Sequence, residues 1–413
     1  MSEKKVILQI KNLTKIYKSG KTEVKALSNV SFDVCEGETI GIVGESGCGK
    51  TTLGRSIVRG IDATSGEVLI HTEEGVINFL KATKEQMKKY RRDIQMIFQD
   101  PYASLDPRMT VFDIISEPLR YNSNLSKKEI EQAVEQIAEQ VGLNKAFLRR
   151  YPHAFSGGQR QRIGLARAAV MEPEFIIADE PISALDVSIR AQVLNLMKKF
   201  QKERDMTYLF IAHDLSIVRF ISDRIAVIYK GDIVEIAETS ELFDYPLHPY
   251  TRSLISAIPI PDPILEKNKV LFTYDPSVHD YSEDKPELTD IGHGHFVFGN
   301  KKEIEKYKAL REKGEPLKSI TILQPGEEPP AQPQVARDLD SEFINAPIHD
   351  TGSKWYTFLS FLLPPLGFIA GAIFKKKRHI RNFKACKKGA IVGLVMWGVV
   401  LALFALFLIL AMI

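Results

Sequence analysis

The chain has 413 residues, 44% hydrophobic and 26% charged, with a formal net charge of only +3. That length exceeds one ordinary core, so roughly two or three units are expected, and the near balance of charge excludes a whole-chain electrostatic case for nucleic-acid binding. Three scattered cysteines, Cys35, Cys48 and Cys386, exclude a disulfide framework and a cysteine-based zinc or iron–sulfur site and fit a reducing cytosol.

Met1 to Leu8 lack the apolar stretch of a secretory signal, so the soluble part is expected to stay on the side where it is made. From about residue 6 to 260, apolar runs of strand length alternate with helical patterns, which marks an α/β domain. The run Glu38 to Val43 leads into Gly44-Glu45-Ser46-Gly47-Cys48-Gly49-Lys50-Thr51, the phosphate-loop pattern G-x-x-x-x-G-K-[ST] between a strand and a helix. Glycines let the backbone turn tightly enough for successive N–H groups to face phosphate oxygens, and the helix N-terminus adds favourable potential. Lys50 is expected to reach the β- and γ-phosphates of ATP, Thr51 to ligate Mg²⁺ and Thr52 to assist at the phosphates. Cys48, set among those N–H groups and beside Lys50, is expected to favour the thiolate.

Ile94 to Phe98 is the next strand candidate. Lys127 to Val141 places Ile130, Ala133, Val134, Ile137 and Val141 at steps of three and four, the stripe of an amphipathic surface helix. Phe175 to Ala178 reads as a buried strand ending in Asp179-Glu180, where parallel α/β sheets bind ligands. Asp179 is expected to hold Mg²⁺ through water, and Glu180 to orient or deprotonate the attacking water. Tyr208 to Ala212 is a further strand candidate, followed by His213. Pro259, Pro261 and Pro263 and the Pro-, Gln- and Glu-rich stretch Gln324 to Pro347 read as linkers. Trp355 to Phe374 and Ala390 to Ile413 contain no Asp, Glu, Lys or Arg and are each long enough to meet a hydrocarbon layer. His293 and His295 have no companion Cys or His cluster and read as loop residues.

Between the phosphate loop and the acidic pair stands Phe155-Ser156-Gly157-Gly158-Gln159-Arg160-Gln161-Arg162, which resembles the signature of ABC ATPases, normally L-S-G-G-Q, with Phe155 in place of Leu. The resemblance implies a RecA-like P-loop NTPase core, α/β in class, with an antiparallel N-terminal β-subdomain and a helical insertion around residues 100 to 165. It implies that Ser156, Gly157, Gly158 and Gln159 form a second anion cradle at a helix N-terminus and close over ATP held by another subunit. In family order, Gln99 resembles the Q-loop residue that senses Mg²⁺ and the lytic water and links to the membrane partner. His213 resembles the switch histidine at the γ-phosphate, and Ser183-Ala184-Leu185-Asp186 the D-loop that crosses the dimer interface. Tyr17 resembles the aromatic residue that stacks on adenine.

Gln99-Asp100-Pro101-Tyr102, Leu105-Asp106-Pro107-Arg108-Met109, Tyr151-Pro152-His153 and His248-Pro249-Tyr250-Thr251 resemble the ATP-binding subunits of oligopeptide and dipeptide importers. That likeness implies an ATPase on the cytoplasmic side of the cell membrane, with two permease subunits, a related second ATPase or a second copy, and an extracytoplasmic peptide-binding protein; no nucleic acid is expected. Nickel or another small solute stays open as cargo, as does a membrane-tethered regulatory ATPase outside transport. The expected division is a nucleotide-binding domain at 1–260, an importer-type extension at 261–323, a linker at 324–354, a membrane segment at 355–374, a basic loop at 375–389 and a transmembrane helix at 390–413. Short basic loops belong in the cytoplasm, beside the ATPase domain, and Pro364-Pro365 with Gly367 and Gly371 permit a turn within the first membrane segment. A re-entrant hairpin, a lipid-facing basic loop and one span are therefore expected, with a two-span hairpin as the rival.

Overall fold

The computed structural model describes residues 5–322 apart from Lys21, Glu73, Pro101, Glu315 and 318–320. The chain divides into Met1–Gln332 and Pro333–Ile413. The linker, both membrane segments and the basic loop expected after residue 323 lie outside the described residues. Among the described residues, no helix is long and apolar enough to cross a membrane.

The strands β1 (Val6–Ser19) and β2 (Thr22–Cys35) pair antiparallel, and β3 (Thr39–Val43) runs toward α1 (Lys50–Ile57). Next come β4 (Ser65–Thr72) and β5 (Gly75–Asn78), which complete an antiparallel sheet in the order β2-β1-β4-β5. After α2 (Lys84–Tyr90) and β6 (Ile94–Ile97) the chain turns helical, through α3 (Val111–Asn122), α4 (Lys127–Gln140) and α5 (Gly157–Ala169). The α4 stripe behaves as its spacing requires: Ile130, Val134 and Ile137 are buried, and a capping box between Ser126 and Glu129 starts the helix.

The α/β alternation then resumes with β7 (Phe175–Asp179), α6 (Val187–Arg204), β8 (Thr207–Ile211), α7 (Leu215–Ile221), β9 (Arg224–Tyr229) and β10 (Asp232–Glu238). The central strands β3, β7 and β8 are buried at every position, because a parallel sheet covered on both faces leaves no polar side. Beyond β10 lie α8 (Thr239–Asp244), α9 (Pro249–Ser256), α10 (Pro263–Lys267), β11 (Lys269–Val270), β12 (Glu287–Asp290), β13 (Phe296–Gly299), α11 (Lys301–Glu312) and β14 (Thr321–Ile322). The main sheet has the order β12-β13-β10-β9-β3-β8-β7-β6. Its β6, β7, β8, β3 and β9 are parallel, and β13 joins β10 antiparallel with Glu235 opposite Val297. The C-terminal extension thus lengthens the core sheet, with a small apolar cluster of Leu247, Val297, Ile304 and Tyr307.

Candidate functional site

The phosphate loop leaves β3 at the C-terminal edge of the parallel strands, where backbone groups are free to meet a ligand. Gly49 has φ +113, and a Cβ there would stand 2.3 Å from the Ala26 carbonyl oxygen, so the turn into α1 admits no side chain. Gly47, at φ +82, faces open space. Ser46 and Gly47 are exposed, whereas Lys50 is buried and its Nζ donates to the carbonyls of Gly44 (2.7 Å) and Glu45 (2.8 Å). Thr51 and Thr52 occupy the first turn of α1. Cys48 departs from expectation: its side chain belongs to an apolar cluster with Leu53 and Ile57, and burial raises its thiol despite Lys50 at 3.8 Å. The thiolate expected there is disfavoured because burial of the sulfur outweighs the Lys50 charge and the Lys50 and Cys48 N–H groups that favour it.

Thr51 Oγ1 donates to Asp179 Oδ1 at 3.0 Å across 128 residues. Asp179 is fully buried, and its Oδ2 has no hydrogen-bond partner among the described residues. Burial raises its carboxyl, against the Thr51 hydrogen bond. A desolvated carboxylate with one unused oxygen beside a hydroxyl fits a hard divalent cation, which supplies the missing partner. Glu180 follows with φ +45, a conformation uncommon outside glycine and often found at functional sites, and its N–H donates to the Ile211 carbonyl at 3.0 Å. Its Oε2 accepts Gln99 Nε2 at 2.9 Å and lies 3.4 Å from His213 Nδ1. Gln99, Glu180 and His213 thus leave the adjacent strands β6, β7 and β8 and meet at one carboxylate.

Ser156 caps α5: its hydroxyl accepts the Gln159 N–H at 3.4 Å, and Gln159 Oε1 accepts the Ser156 N–H at 3.0 Å. A Cβ at Gly158 would lie 2.3 Å from Ile189 Cγ2, whereas at Gly157 it would meet only Leu185 Cδ2 at 3.8 Å. Phe155 is buried with its ring edge-on to Phe147, so this position serves the core, which either Phe or Leu fills. Asp186 is exposed at the N-cap of α6 without a side-chain cap bond. Tyr17 is 43% exposed, with Lys15 Nζ 5.0 Å above its ring. Among the described residues, no hydrogen bond or ion pair joins Ser156–Gln159, Asp186 or Tyr17 to the phosphate loop.

Two features escaped the sequence reading. Tyr250, singled out only as part of a branch marker, places its hydroxyl 3.0 Å from the Glu45 N–H of the phosphate loop. His295 does precede β13 in a loop, but its side chain is buried between Glu235 (2.8 Å) and Glu241 (3.2 Å). Among the described residues no group of three or more His, Cys, Asp or Glu is arranged to hold a metal ion.

Comparison with known proteins matches residues 27–183 to the family described as ABC transporter, and residues 234–286 to the oligopeptide/dipeptide transporter C-terminal region. The chain is 58% identical over 310 residues to the oligopeptide transport ATP-binding protein AmiF of Streptococcus pneumoniae, covering 75% of this chain and 99% of the relative. It is 55% identical over 309 residues to OppF of Bacillus subtilis, covering 74% and 100%. Among solved structures, a dimeric post-hydrolysis state of the ATP-binding cassette MJ0796, bound to ADP and Pi, is 31% identical with a TM-score of 0.52 and covers 56% of this chain and 99% of that one.

Proposed function

We propose a mechanism from one premise: the chain belongs to the family of ATP-binding subunits of oligopeptide and dipeptide ABC transporters. It is an ATPase whose hydrolysis of ATP energises peptide import through permease partners. The observation that carries the mechanism is the meeting of Gln99 and His213 at the Glu180 carboxylate, near the Thr51–Asp179 pair on the same strand end. In this reading the phosphates of ATP lie over Gly44, Ser46, Gly47, Cys48 and Gly49, whose N–H groups, with Lys50 and Thr52, answer their charge. Tyr17 offers its exposed ring to adenine. Thr51 and Asp179, joined by Gln99, would hold Mg²⁺, which when bound would neutralise charge on the phosphate oxygens. Glu180 orients the attacking water and takes its proton, Gln99 steadies that carboxylate, and His213 stands ready for the γ-phosphate.

Ser156, Gly157, Gly158, Gln159 and Asp186 act on the other face of the nucleotide, held by a neighbouring ATPase subunit. Ser156 and Gln159 bond to one another within their own turn, and Asp186 is exposed without a cap bond, which supports a role across a subunit boundary. The functional unit is then two ATPases, either related chains or two copies, with two permeases and an extracytoplasmic peptide-binding protein. Phe98 and Tyr121 are exposed and line one groove with Glu117 and Arg167, next to Gln99, which supports permease contact there. Glu180→Gln, which keeps size and removes basicity, is expected to lower turnover of the assembled transporter at least about a hundredfold while MgATP still binds. Wild-type turnover in that variant overturns the assignment.

The proposal extends to the chain's end. Residues 1–260 form the nucleotide-binding domain, 261–323 the extension and 324–354 a linker; 355–374 enters the bilayer as a re-entrant hairpin, 375–389 lies on anionic lipid at the cytoplasmic face, and 390–413 spans the membrane. The support is the charge pattern, with Lys375, Lys376, Lys377, Arg378, Arg381, Lys384, Lys387 and Lys388 between two uncharged apolar runs. Single cysteines replacing Ser353, Arg381 and Ile413, in a background without native ones, are to be probed in intact cells with an impermeant thiol reagent. Labelling is expected at position 413 alone, and labelling at position 381 refutes the topology.

A further inference from the structure

The Gly44–Glu45 peptide is gripped from both sides. Its carbonyl accepts Lys50 Nζ at 2.7 Å, and its N–H donates to the Tyr250 hydroxyl at 3.0 Å across 205 residues. In a trans peptide these two groups point in opposite directions, so the lysine holds the plane from one side and the tyrosine from the other. The carbonyl of Glu45, in the next peptide, also accepts Lys50 Nζ at 2.8 Å, so these two successive peptides together seat the lysine. Tyr250 is 1% exposed, with its ring against Tyr229 and Tyr274. Filling that space needs only a ring; reaching Glu45 needs the hydroxyl.

Tyr250 is itself fixed from below. It stands in the first turn of α9, where its N–H donates to His248 Nδ1 at 3.1 Å. The N–H groups of Leu247 and His248 donate to the two oxygens of Glu235, at 2.8 and 3.1 Å. That fully buried carboxylate also meets His295 Nε2 at 2.8 Å, and His295 comes from the extension, just before β13. On its other side His295 Nδ1 lies 3.2 Å from Glu241, which pairs with Arg311 on α11. A buried carboxylate stripped of a partner is costly, so the histidine governs whether Glu235 keeps its hold on the start of α9.

We propose that Tyr250 is a positioning residue of the nucleotide site, and that the Glu235–His295 pair makes the C-terminal extension part of the machinery that seats Lys50. The inference rests on the phosphate-loop assignment given above. It is tested on the full chain in its assembled transporter, by MgATP binding and by steady-state hydrolysis. Tyr250→Phe removes one neutral hydrogen bond and is expected to raise both Kd and KM for MgATP about two- to tenfold, with kcat held within about twofold. Tyr274→Phe, in the same aromatic cluster, is expected to change neither. His295→Ala is expected to reproduce the KM shift, and His295→Gln, which keeps a donor toward Glu235, to reverse most of it. An unchanged KM in Tyr250→Phe, or equal shifts in Tyr250→Phe and Tyr274→Phe, overturns the role of Tyr250. Wild-type KM in a folded His295→Ala variant removes the extension from the account; should that variant not fold, a wild-type KM in His295→Gln beside a shifted Tyr250→Phe supports the account, and a shift in His295→Gln as large as that of Tyr250→Phe counts against the donor role. If the wild-type chain binds no MgATP, the phosphate-loop assignment itself falls; if it binds and Tyr250→Phe binds equally well, only this inference falls.

Discussion

The phosphate-loop edge and the Ser156–Gln159 turn are both polar, and they are held in opposite ways. At the first, groups far apart in sequence meet: Thr51 with Asp179 across 128 residues and Gln99 with Glu180 across 81. At the second, Ser156 and Gln159 satisfy one another across 3 residues. Folding one chain assembles the first region and merely finishes the second. A turn already satisfied within itself can present free helix N–H groups outward without depending on its own chain's site.

Asp179→Asn strikes the first region and leaves the second untouched. Turnover is expected to fall at least about a hundredfold, since the proposed mechanism makes this carboxylate the ligand of the cation. Stability should move the other way. Burial holds the folded Asp179 carboxyl above its ordinary value, so its stability contribution, complete only below the unfolded pKa, is lost as pH rises, and at neutral pH the ionised group is a cost. The nucleotide-free variant is expected to melt above the wild type in a thermal scan, and a lower Tm counts against a desolvated Asp179.

Gly157→Asp probes the other region. Open space around Gly157 predicts a normally folded chain with unchanged MgATP affinity on its own, while turnover in the assembled transporter falls at least about tenfold as the carboxylate opposes the neighbour's phosphates. Equal turnover in the assembled transporter removes the cradle from catalysis. Gly158→Ala should instead cost about 1–3 kcal/mol of stability in denaturant titration, because Ile189 occupies the space.

The smallest effect concerns pH and arises behind the phosphate loop, at the start of α9. Burial, aided by His279 and Arg252, lowers His248 to about 3. An unfolded histidine takes its proton near 6.5, so stability is expected to fall as pH drops below that value, by at most about 1.4 kcal/mol per unit. His295 has the opposite sign: burial pulls it down, but Glu235 and Glu241 outweigh burial and raise it, so its contribution is lost as pH climbs through the folded value. Denaturation midpoints across pH 5 to 7 are expected to flatten in His248→Asn, whereas an unaltered acid slope would mean that His248 is protonated in the fold.

Whatever depends on neighbours along the chain is legible in the residues alone. Buried parallel strands are continuous apolar runs, so Thr39–Val43, Ile94–Ile97, Phe175–Asp179 and Thr207–Ile211 fall within a residue of the stretches read for them. The α4 stripe and the strand–loop–helix around Lys50 follow from local periodicity and glycine geometry in the same way. Which distant groups share a point in space is legible only in the folded chain. The burial of the Cys48 sulfur, the meeting of Gln99 and His213 at Glu180, the Tyr250 hydroxyl behind Glu45 and the burial of His295 beside Glu235 all depend on strand order and on how α9 and β13 pack against the sheet. The physical reason is range: dihedral preference and side-chain period act over a few residues, whereas the desolvation and hydrogen bonding that define a site act between surfaces the chain brings together only when it closes its core.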